Sequence, residues 1–270
     1  MPKKDETKKE ETKPAEEKPY LFRARIKDGF KLFKTMFETM GNLIDEATIK
    51  IDKGGISTIT ADRAMVAVVD LNVPATVFEE YDLDKTEKAS INITNFVSIL
   101  KRANPQDELI VELTKSQLIM SLKSVATRKF TIPLLDLGEA ELPPIDQLQF
   151  ASNVRIKSEV LKTGIEDAKL VSDSVVFQST LNKFAMRSQG DISSADLELE
   201  KDNPSMLGLE SKGEIKARYP LDYLKKLDKL FGEFEEVKIE YGKDYPLKLT
   251  AEIQDKGKIA IVIAPRISEE

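Results

Sequence analysis

The feature that most constrains this chain is an internal duplication. From Leu21 onward, short alternating apolar runs are broken by two helical stretches, and the same order then repeats. In the first half, a strand at 21–26 precedes a helix at Phe30–Met40, where Phe30, Phe33, Met36, Phe37 and Met40 recur at helical spacing. Strands follow at 47–52, 56–61 and 66–73, with Gly54-Gly55 supplying a hairpin turn. A strand at 88–93 leads into a helix at Thr94–Ala103, which Asn104-Pro105 stops. Strands at 109–114, 117–122 and 128–134 close the half. The second half gives a strand at 149–156 and a helix from Ser158, read as its cap, to Leu170. Strands at 175–179, 184–188, 196–200 and 214–218 precede a helix at Leu221–Phe231 with Pro220 at its start. Strands at 237–241, 247–253 and 258–263 finish the chain. Each half reads β-α-β-β-β-β-α-β-β-β. A period of roughly 125 residues is a duplicated domain rather than a solenoid. The expectation is an α+β fold with domains at 20–135 and 149–270, joined by a linker at 136–148.

Absences narrow the chemistry. The chain has no His, Cys or Trp. Without His or Cys there is no Ser-His-Asp or Cys-His triad, no disulfide and no Cys-based zinc site. No GxxxxGK[ST] loop or GxGxxG turn occurs. An enzyme is therefore the disfavoured class. Its remaining form is a metal-dependent nuclease built on paired acids, with Asp62 and Asp70 the nearest candidates. Surface or turn roles account for both more simply. Heavy use of Lys and Glu leans towards a thermophilic source. No apolar run reaches about 18 residues, and the N-terminus lacks an apolar signal core, so the expectation is a soluble cytosolic or nuclear protein. Residues 1–19, rich in Lys, Glu, Thr and Pro, bury too little surface to offset their ordering entropy and are expected to be disordered.

The net charge of −6 argues against a nucleic-acid partner. Its distribution argues otherwise. The first helix carries Lys31 and Lys34 against Glu38, and the second carries Lys101 and Arg102 with no acid. The third carries Lys162 and Lys169 against three acids, and the fourth Lys225, Lys226 and Lys229 against two. Together the four spans sum to +3, so the rest of the chain is strongly acidic. Only the third helix, net acidic, departs from a basic lining inside an acidic body. Between the halves, Asp136–Gln147 has a linker composition with Gly138 and Pro143-Pro144, yet holds apolar Leu137, Leu142 and Ile145. Packing onto the sheet beneath and lining a binding surface are equal readings for these three.

Several blocks resemble the proliferating cell nuclear antigen family, the sliding clamps of eukaryotes and archaea. They are LIDEATIKIDKGGISTITADRAMVAVVDL (Leu43–Leu71), FEEYDLDK (Phe78–Lys85), ITNFVSILKRANPQDELIVEL (Ile93–Leu113), DYPLKL (Asp244–Leu249) and the ending IAPRI (Ile263–Ile267). The likeness runs from residue 21 to 267. It implies a DNA clamp fold: two domains, each with two helices and two sheets, three subunits closing a ring, helices lining the hole. The implied function is a processivity factor that encircles duplex DNA, with no catalytic residue, cofactor or metal. The helix cations Lys31, Lys34, Lys101, Arg102, Lys162, Lys169, Lys225, Lys226 and Lys229 would face DNA. The last strand of the first domain, with Arg128, Lys129 and Phe130, would pair with Asp196, Glu198 and Glu200 of a neighbouring subunit, a basic edge against an acidic one.

Client proteins of the family carry a short Gln-aliphatic-aromatic-aromatic peptide. The matching pocket positions are Ala61, Met65 and Val66; Leu142, Pro144 and Ile145 in the linker; and Pro246, Val262, Ala264, Pro265 and Arg266. This turns the linker tie towards function. Implied partners are clamp subunits (homotrimer or heterotrimer), a clamp loader, DNA polymerase, flap endonuclease and DNA ligase. The implied location is the archaeal nucleoid, or the nucleus of a eukaryote. A specialised paralogue in a mixed or damage-signalling ring is the alternative.

Overall fold

The computed structural model describes residues 18–138 and 142–266. The expected disorder of the tail falls, apart from Lys18 and Pro19, outside the described residues. Lys18 itself bonds Asp82 (2.7 Å) and Asp84 (3.2 Å).

The first domain runs β1 (Phe22–Ile26), α1 (Phe30–Gly41), β2 (Glu46–Asp52), β3 (Gly55–Ala61), β4 (Ala67–Pro74), β5 (Glu80–Leu83), β6 (Glu87–Asn92), α2 (Ile93–Lys101), β7 (Glu108–Leu113), β8 (Gln117–Lys123) and β9 (Thr127–Pro133). The second runs β10 (Ser152–Lys157), α3 (Ser158–Lys169), β11 (Ser174–Ser179), β12 (Lys183–Gln189), β13 (Ser194–Glu200), β14 (Met206–Ser211), β15 (Ile215–Pro220), α4 (Leu221–Leu224), α5 (Asp228–Glu233), β16 (Glu236–Tyr241), β17 (Leu247–Ile253) and β18 (Gly257–Ile263). The duplication is present, with one strand more in each half than the sequence pattern suggests. Those strands, β5 and β14, are counterparts: each is an edge strand, pairing only with the first strand of its domain. Acidic EYDL and glycine-containing MLGLES lack the alternating apolar signal of a half-buried strand.

Two further expectations are corrected. The helix expected at 221–231 is α4, a 3-10 turn at Lys225–Leu227 and α5. The break lets Leu221, Leu224, Leu227 and Leu230, spaced three apart, all turn inward, a spacing that a 3-10 turn satisfies and a straight α-helix does not. Ser158 does not cap α3; it is the first helical residue, buried, with Lys157 at the cap and no side-chain bond there. Pro220 sits at the cap position of α4, at the start of the helix as expected. By contrast Asn92 caps α2, its side chain accepting from Asn95 N–H at 2.8 Å. At the β2–β3 hairpin, Gly55 has φ +142°, and a Cβ there would lie 2.2 Å from the Val73 carbonyl oxygen, so glycine is required.

The strands form three sheets. One is β5-β1-β7-β8-β9, a second is β13-β12-β11-β15, and the third is a nine-stranded sheet ordered β14-β10-β16-β17-β18-β4-β3-β2-β6. The third joins the domains, because β18 pairs antiparallel with β4 from Lys258↔Asn72 to Ile263↔Ala67. Helices pack side by side in the order α2, α1, α5, α3, with α1 against β4 and β18 at the seam. Val69, Leu71, Ile259 and Ile261 face the helices and are fully buried.

Ile261→Ala removes a fully buried side chain opposite Val69 at this seam. It should cost about 2–5 kcal/mol. Denaturant unfolding should show both domains destabilised together in one transition.

Candidate functional site: a helix row, two open edges and a linker groove

The helix row carries the cations, but not all are free. Lys31 on α1 bonds Glu233 on α5 at 2.7 Å, Lys229 on α5 bonds buried Glu38 on α1, and Asn42 donates to the Lys226 carbonyl at 2.9 Å. Lys162 on α3 lies 3.3 Å from Asp228. Lys31, Lys162 and Lys229 therefore stitch helices together, and their charge is largely cancelled. Among the described residues, Lys34, Lys101, Arg102, Lys169, Lys225 and Lys226 reach no carboxylate. Lys169 and Lys225 both line the cleft between α3 and the α4–α5 segment. Lys226 lies over the Tyr223 ring, 4.8 Å from its centre, at the rim of the groove beneath the linker. The net acidic character of α3 stands, since Lys162, one of its two lysines, is engaged by Glu166 and by Asp228 of α5.

Of the six edge strands of the three sheets, two are the counterparts of the joined β18 and β4: β9, which ends the five-stranded sheet, and β13, which ends the four-stranded one. Their charges are not the simple basic and acidic pair expected from sequence. Arg128 is turned back on buried Asp107 and donates to the Arg102 carbonyl at 3.0 Å. Arg187 on β12 binds Asp196 (2.8 Å) and Glu198, and Lys183 binds Glu198 at 3.1 Å. The Lys183 hydrogen bond, with Arg187 adding to it, holds the Glu198 carboxyl below its ordinary value. Lys129 and Glu200 remain exposed, while Phe130 is half-buried against the core. Sequence alone missed this because the neutralising cations sit on the adjacent strand and pair only in the folded register.

The linker crosses the face of the nine-stranded sheet opposite the helices. Ile145 is 4% exposed and packs on Val68 and Val262, with Ala61 and Leu148 around it. Both readings of the linker thus apply to different residues: Ile145 is packing, whereas Leu142 is half-exposed and lines the groove with Ala61, Leu137 and Gly138. Pro144 is exposed beside them.

Met65, 53% exposed and at φ 56°, tops the loop after β3. The segment leaving β18 lies alongside it, Ala264 N–H donating to the Val66 carbonyl at 2.9 Å, and Pro246 precedes Leu247, which pairs with Ile263. So Met65, Val66, Ala264, Pro265 and Pro246 converge at one end of the sheet. Arg266 does not join them: its guanidinium bonds Asp173 at 2.6 Å and its N–H donates to the Arg218 carbonyl.

Asp62 holds the loop. One carboxylate oxygen accepts from the Val66 and Ala67 N–H groups at 2.8 and 2.7 Å, and the other from Tyr223 Oη at 2.8 Å. Burial, with this bond adding to it, pushes the Tyr223 phenol up to about 12. Asp70, half-buried on β4, has its carboxyl lifted by burial against the pull of Lys258 and Lys248. The two acids have separate structural surroundings. Among the described residues no group of three or more acids is arranged to hold a metal ion, and no helix is long and apolar enough to cross a membrane.

The arrangement has two equivalent domains, a helix-lined face, a linker on the other face and the counterpart edge strands β9 and β13. Models of the proliferating cell nuclear antigen N-terminal domain match residues 21–137, and of its C-terminal domain residues 144–266. DNA polymerase sliding clamps of Pyrococcus abyssi and Thermococcus kodakarensis are 34% and 35% identical over 243 residues, 90% of this chain and 97% of each relative. Among solved structures, the Thermococcus kodakaraensis PCNA superposes with a TM-score of 0.82 at 29% identity, covering 91% of this chain and all of that one. A chain of the PCNA2–PCNA3 complex of Sulfolobus tokodaii does so at 0.82 and 28%, covering 90% and 99%. The chain belongs to the proliferating cell nuclear antigen family, whose members are DNA sliding clamps: processivity factors, not enzymes.

Two outcomes follow from this geometry. Met65→Ala should leave the melting temperature nearly unchanged, whereas Ile145→Ala should cost about 2–4 kcal/mol in denaturant unfolding. The Tyr223 phenol, raised above the ordinary value of 10.0, contributes stability fully below that pH and loses it as pH rises through about 12. The alkaline fall in melting temperature should therefore lose a component in Tyr223→Phe.

Proposed function

We propose that this chain is one of three segments of a closed ring around duplex DNA that keeps DNA polymerase on its template. The observation that carries this reading is the pair of open edges, β9 and β13, flanking a row of helices whose surface holds unpaired cations. A ring that slides must attract phosphates without reading bases. Scattered Lys and Arg side chains on helix surfaces, with no element shaped to enter a groove, supply that attraction. The free set is Lys34, Lys101, Arg102, Lys169 and Lys225, with Lys226 turned towards the linker groove.

Client docking belongs to the opposite face. Met65, Val66, Leu142, Pro144, Pro246, Ala264 and Pro265 form an apolar, partly exposed strip suited to a short peptide with an aliphatic and two aromatic anchors. Met65 adds a flexible, polarizable side chain suited to several ligands. Clients of this kind would be DNA polymerase, flap endonuclease and DNA ligase, and a clamp loader would open the ring at the β9–β13 seam. The setting is the archaeal nucleoid, in line with the archaeal relatives. A second reading, membership of a mixed ring, is favoured by the likeness to a chain from a complex of two different clamps.

The test is retention on DNA. Loaded onto a nicked circle, the protein should stay bound until the circle is cut, and it should lengthen polymerase products. Replacing Lys34, Lys169 and Lys225 by Ala should reduce that stimulation. It should also flatten the dependence of log affinity on log salt by roughly one unit of slope for each phosphate no longer neutralised. The melting temperature should be unchanged. Equal retention on circular and linear DNA would overturn the ring.

A further inference from the structure

The nine-stranded sheet parts beneath the linker. β2 and β3 pair only from Asp52↔Gly55 to Lys50↔Ser57, although β2 starts at Glu46 and β3 runs on to Ala61. The equivalent hairpin β11–β12 stays paired further from its turn, to Val176↔Arg187. In the first domain the Thr58 hydroxyl donates to the Thr48 carbonyl at 2.9 Å, so a side chain takes the place of a main-chain donor. The Asp62 N–H turns to β4, where the Ala67 carbonyl accepts it. Alternation then turns the N–H and C=O groups of Ile59 and Ala61 into the gap, where among the described residues no strand meets them. A cavity of about 1300 Å³ enters here. It runs from Ala61 and Leu142, at the client strip, past Ile59 to Lys50, Lys88 and Ser90.

Charge changes sign along this groove. Lys50 on β2 stands directly opposite Lys88 on β6, both exposed. Like charges in that register destabilise a sheet. Asp52 answers Lys50 at 2.8 Å, and among the described residues Lys88 reaches no carboxylate. Of the acids lining the groove, Asp45 binds Arg63 at 3.4 Å and Asp62 is held by Tyr223. Glu46 and Asp136 reach no cation among the described residues. Glu46 stands four residues from Lys50 along β2, and Asp136 follows Leu135, whose N–H donates to the Ser90 carbonyl at 2.8 Å. Lys88 lies beyond both, at the basic end. Extending the register sets Ala61 level with Glu46 and Asn92, so Lys88 is two strands across and four residues along. That is about 16 Å at about 4.8 Å between strands and 3.3 Å per residue, a span that an extended peptide covers in about five residues.

We infer that this groove takes the segment of a client peptide that follows its aromatic anchors, in extended form, and that Lys88 binds a carboxylate about five residues beyond them. This rests on the client-docking reading above. Ile59 and Ala61 offer main-chain bonds without sequence preference, and Lys88 supplies the preference. The occupant is thus a peptide with an acidic flank, set apart from its anchors by a short neutral stretch.

Three synthetic peptides, titrated by fluorescence anisotropy against the full chain, test this. The first carries the Gln-aliphatic-aromatic-aromatic motif followed by neutral polar residues. The second has Glu at the fourth to sixth positions after the last aromatic, and the third has Glu at the first and second positions instead. The second should bind about two- to fivefold more tightly than the first, the range of an exposed ion pair, and the third should show no gain. Salt near 1 M should remove the gain of the second by screening. Lys88→Gln should remove it too, and Lys88→Glu should pass it to a peptide with Lys at those positions.

A first peptide that does not bind overturns the docking reading and this inference with it. A first peptide that binds, with no gain for the second, overturns this inference alone. An equal gain wherever the Glu residues stand overturns the placing of the acidic flank. If Lys88→Gln lowers the melting temperature and leaves the gain intact, Lys88 serves the chain's own acids and the assignment falls.

Discussion

Everything in this structure depends on backbone pairing between β4 and β18. A strand at a sheet edge presents unpaired N–H and C=O groups, and two such edges of compatible register stabilise each other strongly once water is excluded. In this chain Ala67–Asn72 and Lys258–Ile263 meet in that way, so one sheet from each domain becomes a single nine-stranded sheet. Because the domains are duplicates, sealing one pair of edges leaves the equivalent pair, β9 and β13, unsealed at opposite ends. Five strands and four strands remain available, the material for another nine-stranded sheet. Within the chain, β9 and β13 therefore each keep one side without a strand partner.

The same seam separates the two working faces. Side chains alternate across a strand, so Val69 and Ile261 turn to the helices while Val68 and Val262 turn to the linker. Helix cations stand on one side. On the other, Ile145 pins the linker down, and Leu142 lines the groove with Ala61. Asp62 ties these surfaces together: it shapes the loop carrying Met65 and also holds Tyr223 of the other domain. Electrostatics serve mostly internal purposes. Lys31, Lys162 and Lys229 hold helices to one another, and Arg187 and Lys183 quiet the acids of β13. Exposed pairs of this kind contribute little stability each. Their effect here is to decide which charges are left to meet a partner.

Much of this was legible in the sequence, and the failures are specific. Phe30, Phe33, Met36, Phe37 and Met40 announced α1 through spacing alone, and the repeated order announced two domains. β5 and β14 escaped because edge strands bury little and need no strict alternation. The 3-10 turn in the last helix escaped because Leu221, Leu224, Leu227 and Leu230 are three apart, a spacing compatible with helix in general and decided only by what they pack against. At the site, the roles of Ile145 and Leu142 could not be told apart from a linker of mixed composition. Arg128 and Glu198 looked like free edge charges because their intrachain partners, Asp107 and Arg187, are neighbours only after folding.

Sequence by itself determined the duplication, the two helices per domain, the exclusion of His- and Cys-based chemistry, and a basic bias on the helices. These are properties of composition and short-range periodicity, which the chain carries in any conformation. Tertiary structure decided which cations are engaged between helices, which linker residue is buried, and which two strand edges are sealed between the domains. Each of these depends on groups far apart in the chain arriving within a few ångströms of one another, and no local pattern encodes that distance.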